Sequence, residues 1–411
     1  MHMPPDAASD AILKCNSEAE LLWSRLQPEQ WPLPLTSLPE GTALVGGAVR
    51  DGLLDRLSAA PDLDLIVPDD ALGLTRRLAK ELKGTCVVLD QERDMARLVL
   101  GDWTVDLARQ EGGDLSADLQ RRDYRLNAIA LPLRPRGALV DPTHGLEDLN
   151  HRHLRAIQEQ NLIDDPLRLL RGLRLMAEQN LSLDPQTAAW IAEHHARLPE
   201  VAPERILSEL QRLVSGDWAA AVIPVLQQLR LLTPWQASAP DPAGLPGPSA
   251  DAEFNATERQ LAWPLLRLTH LLSGEGLAAL RSSRRLRQRS DRLRHWLRRC
   301  QGGVDQLPES ERLTLHREME TDLPALILTL PRALHQPWLE RWRDPEDRLF
   351  HPRTPLDGRT LQQHLGLVPG PALGALIDQL RLDFAFGRIT DPNHALEAAR
   401  HWVSKNEACC D

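Results

Sequence analysis

Two aspartates, Asp62 and Asp64, have the residue type and the spacing of a metal-binding pair. The apolar residues from Leu65 to Val67 predict a buried strand, and successive side chains of a strand point to opposite faces. A spacing of two therefore turns both carboxylates to one face, and carboxylate oxygens are the ligands that hard divalent cations prefer. Aspartates at a strand end can also simply face solvent, so the pair needs support from its surroundings.

A candidate phosphate site lies just before these aspartates. Ala43 to Val45 predict a short apolar strand, Gly46 and Gly47 permit a tight backbone turn, and residues 48–57 favour a helix. The N–H groups at the start of a helix bind anions, although a glycine pair in front of a helix is often only a turn. A phosphate site beside paired carboxylates favours divalent cations that hold a triphosphate.

The elements that must position these residues follow from the apolar pattern. Six short runs between residues 42 and 140 predict strands in a mixed α/β region: ALV, DLDLIV, TCVVL, ARLVL, WTVDLA and NAIALPL. On the WTVDLA strand, Asp106 is either a third carboxylate of the metal face or a strand-end acid in solvent. Residues 1–36 form a leader with a possible helix from Glu18 to Leu26. Beyond residue 150 the pattern is almost entirely helical.

Composition limits the classes of protein that this chain can belong to. Its 411 residues can form more than one domain, and a formal net charge of -10 argues against indiscriminate binding of nucleic acid. No apolar run approaches the roughly 20 residues needed to cross a bilayer, and no signal-peptide pattern opens the chain. Five cysteines without a C-x-x-C spacing argue against a disulfide framework, so we expect a soluble cytoplasmic protein.

One local stretch reverses the acidic balance. Residues 281–299 are rich in arginine and contain a single acid, Asp291. Because arginine side chains bind phosphates, this stretch is a candidate RNA-binding surface; the alternative is an ordinary solvated helix face. The RNA-binding residues that we predict here are Arg281, Arg284, Arg285, Arg287 and Arg289.

Four further motifs lie near or beyond the aspartates. The string VGGAVRD followed by DLDL resembles the class II tRNA nucleotidyltransferases and bacterial poly(A) polymerases, which belong to the DNA polymerase beta superfamily. RRDYRLNA (121–128) is similar to the second motif of that family, with Arg125 at its usual Thr position. DPTHGLEDL (141–149) resembles the third motif. IDDPLR (163–168) resembles the E-D-x-x-R motif with Asp164 in place of Glu, and LDG with GLVPGPALG (356–374) resembles the bacterial tail.

The resemblance implies an α/β nucleotidyltransferase head with a mixed sheet, followed by an elongated all-helical region. The predicted parts are a leader (1–36), a catalytic head (37–150), a helical neck (151–236), a Pro/Gly/Ala-rich linker (237–255), a helical body (256–350) and a tRNA-binding tail (351–411). The implied reaction is addition of CMP and AMP from CTP and ATP to the tRNA 3′ end. The implied partners are tRNA and the two nucleotides, with no membrane and no stable protein partner.

The resemblance also assigns roles to single residues. Asp62 and Asp64 would bind two Mg²⁺ ions, with Asp106 as a further catalytic carboxylate. The nucleotide would be bound by a set of glycines, arginines and polar residues: Gly46, Gly47, Arg50, Arg121, Arg122, Asp123, Asn127, Asp165, Arg168, Arg171 and Arg174.

Base edges suggest what Asp165 and Arg168 would do. Cytosine and adenine each offer an amino donor beside a ring-nitrogen acceptor, whereas uracil and guanine offer a carbonyl beside an N–H. A carboxylate and a guanidinium at the right separation would accept CTP and ATP and reject UTP and GTP. The plain alternative is that Asp165 caps a helix that begins near Pro166, with Arg168 in solvent.

Several related functions share these motifs. The chain could add the whole CCA sequence, only CC or only the terminal A, or it could be a poly(A) polymerase. A non-catalytic RNA-binding protein is the alternative of another class, and the two retained aspartates argue against it, since like charges held together repel.

Overall fold

The computed structural model describes residues 5–236, 245–246 and 251–407. The chain divides into two compact units. The first comprises Met1–Ala202 with Ala221–Leu231, and the second comprises Pro203–Ala220 with Leu232–Asp411. The boundary predicted between head and neck, at residues 150 and 151, lies inside the first unit. Most of the predicted linker, residues 237–244 and 247–250, lies outside the described residues.

The first unit contains a six-stranded mixed sheet, which confirms the predicted α/β head. The sheet order is β3-β4-β5-β2-β1-β6; β2 and β5 are parallel, and the other neighbours are antiparallel. All six predicted strands form: β1 (Ala43–Val45), β2 (Leu63–Val67), β3 (Thr85–Asp90), β4 (Met95–Leu100), β5 (Trp103–Arg109) and β6 (Ala130–Pro132). The residues of β1 and β2 are buried except Asp64, which is half-buried.

A two-residue turn fixes the pairing of β4 with β5. Gly101 takes a positive φ of 60°, a conformation that favours glycine, and Asp102 completes the turn. Leu100 therefore pairs with Trp103, and counting back along both strands sets Arg97 opposite Asp106. This register brings a basic and an acidic side chain to neighbouring positions on one face of the sheet.

The helices of the first unit surround this sheet and follow it. They are α1 (Pro5–Leu26), α2 (Gly47–Leu53), α3 (Ala71–Glu81), α4 (Leu115–Gln120), α5 (Gly145–His151), α6 (Glu159–Asp164), α7 (Leu167–Gln179) and α8 (Pro185–His194). Two short strands, β7 (His153–Leu154) and β8 (Ser182–Leu183), pair in parallel, in a region where the apolar pattern predicts almost only helices.

Two helix boundaries differ from the prediction. The helix expected over residues 48–57 ends at Leu53, because Asp55 takes a positive φ of 59° and the chain turns there. The leader is more regular than expected: α1 extends over Pro5–Leu26 rather than starting at Glu18. Arg25 near its end donates to the carbonyl oxygens of Gly52 and Leu53 at 2.8 and 3.0 Å. These bonds fasten the end of α1 to the last turn of α2.

The described part of the second unit is helical. Its α-helices are α9 (Pro203–Ser215), α11 (Ala256–Leu271), α12 (Gly274–Ala279), α13 (Arg284–Arg299), α14 (Glu309–Met319), α15 (Leu323–Ile327), α16 (His335–Arg343), α17 (Gly358–Leu365), α18 (Pro371–Ala385) and α19 (Pro392–Glu407). Helix α10 (Ala219–Gln228) crosses from this unit into the first. No described helix has both the length and the apolar character needed to span a membrane.

Helix α13 carries the arginine-rich stretch. Ser283 caps its start by accepting from the Leu286 N–H, and Leu293 and Trp296 are buried in the core of the unit. The arginines divide into two groups. Arg284 and Arg285 are exposed, whereas Arg289 donates through Nε and Nη2 to Asp322, whose side chain is only 2% exposed, at 2.7 to 3.0 Å.

The pair between Arg289 and Asp322 predicts a stability effect. We expect Arg289→Ala to lower the free energy of unfolding by about 1 to 3 kcal/mol, because it leaves a buried carboxylate with only Arg292, at 3.9 Å, for compensation. Arg285→Ala, an exposed position on the same helix, should change it by less than about 0.5 kcal/mol. Urea unfolding of both variants measures the difference, and equal stabilities would contradict this role of Arg289.

Candidate active site

Three aspartates meet on neighbouring strands of the sheet. Asp64 lies on β2 and pairs in register with Asp106 on the parallel strand β5, so the two side chains extend from the same face. Asp62 is exposed and lies one residue before β2. Asp106 and Asp62 are both close enough to raise the pKa of Asp64 by their charge. The structure thus brings together the three carboxylates that the sequence singled out.

The glycine pair contacts Asp64 directly. Gly46 has a φ of 71°, and a Cβ at this position would lie 2.7 Å from Oδ2 of Asp64. The positive φ and the short Cβ distance both require a residue without a side chain at position 46. The Gly47 N–H also lies near enough to the same carboxylate to lower its pKa. The turn predicted as a phosphate site therefore also holds the central carboxylate in place.

Burial and crowding change the acidity of Asp64. Burial is the largest cause, and together with the charges of Asp106 and Asp62 it raises the pKa of Asp64 to about 6, against the opposing effects of Arg122 and the Gly47 N–H. Such a concentration of hard oxygen donors and negative charge fits a divalent cation, which would relieve the repulsion. Asp62 and Asp64 are the residues that would hold it.

Arg97 restricts the third carboxylate. Its Nε and Nη2 donate to Oδ1 and Oδ2 of Asp106 at 2.7 and 2.9 Å, and this pairing raises the pKa of Arg97. A bidentate guanidinium uses both oxygens of Asp106. A catalytic role for Asp106 stays a prediction, and it would require this pair to loosen.

A different group of possible metal ligands lies on the helices. In the described part of the chain, Glu159, Glu193 and His194 form the group whose ligand atoms all come within 4.8 Å of one another. Glu159 already accepts a 2.7 Å hydrogen bond from Nε2 of the His194 ring. The ligand atoms of Asp62, Asp64 and Asp106 do not all come within this distance of one another.

A chain of hydrogen bonds joins helix α2, the second motif and helix α7. Arg50 is buried; it donates to both oxygens of Asp51 at 2.9 Å and to Oδ1 of Asn127 at 2.7 Å. The Asn127 amide donates to Oδ1 of Asp123 at 3.1 Å, and Arg171 on α7 donates to Oδ2 at 3.3 Å. Each Arg50 nitrogen is thus engaged within the protein, and its role as a triphosphate ligand stays a prediction.

Asp123 is the buried centre of this chain of bonds. Its burial favours the neutral acid, but the charges of Arg171 and Arg168, the Tyr124 N–H and the Asn127 amide together hold the pKa of Asp123 below its usual value. Asp123 is therefore ionised at neutral pH. It connects the second motif to helix α7 instead of facing solvent as part of a charge run.

The two arginines that open the second motif, Arg121 and Arg122, differ in their surroundings. Arg122 lies near enough to Asp64 to lower its pKa, and its Nη2 is 3.4 Å from Asp118. Arg121 forms an ion pair with Glu111. Arg122 is thus the arginine of this motif whose charge acts on the central carboxylate, which is where a triphosphate would need a cation.

The residues of the predicted base-reading motif lie together at the start of α7. Asp165 accepts from the Leu167 N–H at 3.2 Å, so the helix-capping role foreseen as an alternative is present. Nη1 of Arg168 donates to the carbonyl oxygens of Arg121 and Asn161 at 3.0 and 2.9 Å. These bonds fix the Arg168 guanidinium beside Asp165 rather than leaving it in solvent. Base reading by this pair stays a prediction.

Arg174 lies in different surroundings from Arg168 and Arg171, which precede it on α7 at a spacing of three. It is only 7% exposed, and its Nε lies 3.8 Å from Glu178. Three residues advance 300° around a helix, so the third member of such a series has rotated toward the buried side. Its role as a triphosphate ligand stays a prediction.

Sequence reasoning missed Tyr124, Asn161 and Arg97. Tyr124, the one tyrosine of the chain, is fully buried and donates to the Arg168 carbonyl oxygen at 2.7 Å. A Cβ on Gly172 would lie 2.1 Å from its hydroxyl oxygen, so α7 approaches the ring closely. The Asn161 amide donates to the carbonyl oxygens of residues 120 and 122 at 2.8 and 2.6 Å. Of these three residues, only Arg97 could have been found from the sequence, because the two-residue turn between β4 and β5 sets Arg97 opposite Asp106.

The predicted RNA-binding arginines belong to the second unit. Arg281 pairs with Glu204 at 2.8 Å, both side chains being exposed, and Arg289 is held by Asp322. Within the described residues, no partner is found for Arg284, Arg285 or Arg287. Arg284 and Arg285 are exposed and keep their charge available for a ligand, whereas Arg287 is half-buried with its Nε buried. Arg281 and Arg289 are already compensated.

Comparison with known proteins places this site in a family. Residues 42–155 match the family model described as "Poly A polymerase head domain", and residues 180–238 match "Probable RNA and SrmB- binding site of polymerase A". A CC-adding tRNA nucleotidyltransferase of Synechocystis is 31% identical over 404 residues, which are 90% of this chain and 96% of that protein. An A-adding tRNA nucleotidyltransferase of Deinococcus radiodurans is 40% identical over 48% of this chain and 46% of its own length.

Solved structures show the same fold. The Thermotoga maritima CCA-adding enzyme complexed with tRNA is 20% identical, has a TM-score of 0.71 and is covered over 98% of its length by 94% of this chain. The Bacillus stearothermophilus CCA-adding enzyme in complex with CTP is 19% identical, with a TM-score of 0.64 over 89% of this chain and 94% of its own. The nucleotidyltransferases of this family use divalent metal ions. The chain belongs to the class II tRNA nucleotidyltransferase family.

Proposed function

We propose that this chain adds CMP and then AMP, from CTP and ATP, to the 3′ end of tRNA in the cytoplasm, with Mg²⁺ as its metal. The observation that carries the proposal is the set of aspartates on β2 and β5 with Arg122 beside Asp64, in the same unit as Asp165 and Arg168. The similar enzymes of known structure include complexes with tRNA, CTP and ATP, which supports the choice of substrates.

The reaction transfers a nucleotide to a hydroxyl group. The 3′ oxygen of the tRNA attacks the α-phosphorus, the bond to pyrophosphate breaks, and the hydroxyl proton is lost to solvent or to a carboxylate. Asp62 and Asp64 would hold divalent cations, which would activate the hydroxyl group and neutralise the charge on pyrophosphate. Arg122, whose charge already acts on Asp64, would orient the triphosphate.

Loss of the carboxylates should stop the chemistry and spare tRNA binding. We expect Asp62→Ala and Asp64→Ala to reduce CMP addition by about 1,000-fold or more, because the metal ligands are removed, with tRNA affinity within a few-fold of normal. Asp102→Ala, an exposed aspartate in the turn after β4, is the matched control. Extension of end-labelled tRNA with CTP measures the rate. Addition persisting at about a tenth of the normal rate would exclude this metal assignment.

Two relatives that cover most of the chain favour different product lengths. The Synechocystis CC-adding enzyme is 31% identical, and the Levilactobacillus brevis CCA-adding enzyme is 26% identical over 86% of this chain. CC addition alone is therefore a second candidate function. Incubating the protein with tRNAs that end before CCA, after C and after CC, with CTP and ATP singly and together, separates the two. A ladder of many adenylates would instead indicate poly(A) synthesis.

The Asp165 and Arg168 pair should decide which bases are accepted. We expect Asp165→Ala and Arg168→Ala each to lower kcat/KM for CTP by about 10-fold or more, because one polar edge of the base is left unpaired. UTP and GTP should be affected much less, so discrimination narrows. Kinetics with all four nucleotides, together with a melting curve, measure both effects.

The melting curve distinguishes the helix-capping role of Asp165 from its predicted role in base reading. Loss of the bond to the Leu167 N–H alone should cost about 1 kcal/mol of stability. If stability falls while the order of nucleotide preference stays the same, the base-reading assignment is wrong.

The partnerless arginines of α13 should bind the tRNA backbone. We expect the combined change of Arg284 and Arg285 to Glu to weaken tRNA binding and its dependence on salt. Each lost phosphate contact should lower the slope of the logarithm of the binding constant against the logarithm of the salt concentration by about one. Stability should be preserved, which is why Arg289, held by Asp322, is left intact. Filter binding over a range of KCl concentrations measures the slope. An unchanged slope would indicate that this helix face is only solvated and does not contact the tRNA backbone.

A further inference from the structure

The hydroxyl group of Tyr124 meets the backbone of helix α7 in its first turn. It donates to the carbonyl oxygen of Arg168 at 2.7 Å. Burial and the charge of Asp123 raise the pKa of Tyr124 above its usual value, against the opposing effects of Arg171, Arg168 and the Gly172 N–H. The phenol is therefore a neutral donor at neutral pH. The N–H of Gly172 is the group that an α-helix directs at the carbonyl of Arg168, so the hydroxyl lies beside one bond of the helix ladder.

The packing around this hydroxyl group leaves it little freedom. Tyr124 is fully buried, and a Cβ on Gly172 would lie only 2.1 Å from its hydroxyl oxygen. A side chain at position 172 would therefore push the ring and the helix apart. The glycine allows the phenol to reach the main chain of α7, where a shift of the ring and a shift of the helix must accompany each other.

Tyr124 ends a segment, 120–124, that is bonded along its length to helices α6 and α7. The Asn161 amide on α6 donates to two carbonyl oxygens of the segment, and Nη1 of Arg168 donates to a third. Arg171 donates to Asp123, and the Tyr124 hydroxyl bonds the carbonyl of Arg168. Arg168 is thus fastened to this segment twice, through its guanidinium and through its main chain.

Segment 120–124 connects the two ends of the proposed nucleotide site. Arg122 within it acts by its charge on Asp64, whereas Arg168 belongs to the base-reading pair. A nucleotide reacts only if its base and its triphosphate fit their partners at one spacing, and a displacement of about 1 Å can cost about 100-fold in rate. A bond that fixes the start of α7 against this segment therefore bears on which bases are accepted.

We propose that Tyr124 is a positioning residue for base selection: its hydroxyl group fixes the main chain of Arg168 against segment 120–124, so that the guanidinium meets the edge of the base beside Asp165. The inference rests on the proposed function and goes beyond it by assigning a residue that touches no substrate. Loss of the hydroxyl should weaken CTP and ATP, whose edges pair with Asp165 and Arg168. UTP should change little, because it makes no such pair.

The variant Tyr124→Phe tests this role, because it removes one oxygen atom and keeps the ring. We expect kcat/KM for CTP and ATP to fall about 10-fold, UTP to stay within about 2-fold, and the Kd of CTP to rise about 10-fold. Replacement of Tyr124 by para-aminophenylalanine, which keeps a donor at this place, should restore most of the discrimination. Extension of end-labelled tRNA measures the rates, and equilibrium binding of each nucleotide without tRNA measures Kd.

Thr75→Val is the matched control for the loss of a buried hydroxyl group. Thr75 on α3 is fully buried and donates to the Ala71 carbonyl oxygen, also at 2.7 Å, in the same unit. Both variants should lower Tm by about 2 to 4 °C, and only Tyr124→Phe should change the ratio of CTP to UTP.

A ratio of CTP to UTP that stays the same in Tyr124→Phe, whether or not the rates fall, would overturn the proposal and leave Tyr124 as a residue of the core. Failure of para-aminophenylalanine to restore a lost ratio would overturn the assignment to the donor. If the unaltered protein extends no tRNA, the proposed function fails, and the ratio of the dissociation constants of CTP and UTP then tests the role of Tyr124 by itself.

Discussion

The buried negative charge of Asp123 is the interaction on which the arrangement of the site depends. A carboxylate that is 6% exposed is stable only if its charge is compensated, and here Arg171, the Asn127 amide and a backbone N–H do so. Asn127 in turn accepts from Arg50. The glycine-led helix α2, the second motif and α7 are therefore held in one geometry before any nucleotide binds, which lowers the cost of ordering them on binding.

The metal side of the site follows a different rule. Asp62, Asp64 and Asp106 repel one another, and this repulsion adds to burial, the largest cause, in raising the pKa of Asp64. Asp106 is relieved by Arg97, and Asp64 by Arg122 and the Gly47 N–H, while Asp62 faces solvent. The negative charge of Asp106 is thus compensated more fully than that of Asp62 and Asp64. A cation would therefore bind chiefly to Asp62 and Asp64, because it gains most where repulsion between carboxylates is not already compensated.

Local patterns in the sequence predicted much of this, and non-local contacts account for what it missed. Alternation and β-branched residues predicted all six strands of the sheet. The shared face of Asp62 and Asp64 stays a prediction, because Asp62 lies one residue before β2. The β4–β5 turn at Gly101 contained the register that pairs Arg97 with Asp106. Nothing local indicates that Asp322, 33 residues from Arg289, holds it, or that the Tyr124 hydroxyl meets the Arg168 carbonyl 44 residues away. Such pairs are decided by packing.

The same distinction explains how an acidic chain can bind RNA at one surface. Net charge predicts repulsion, but binding depends on the cations that remain uncompensated locally. On α13, burial of Leu293 and Trp296 fixes which arginines face outward, and Asp322 takes Arg289 out of that set. Counting arginines in the sequence therefore overestimates the available charge, while the structure leaves Arg284, Arg285 and Arg287 as the residues for which the described part of the chain provides no partner. A polyanion attracted to this helix would contact those side chains first, because their charge is not compensated by an acidic group of the protein.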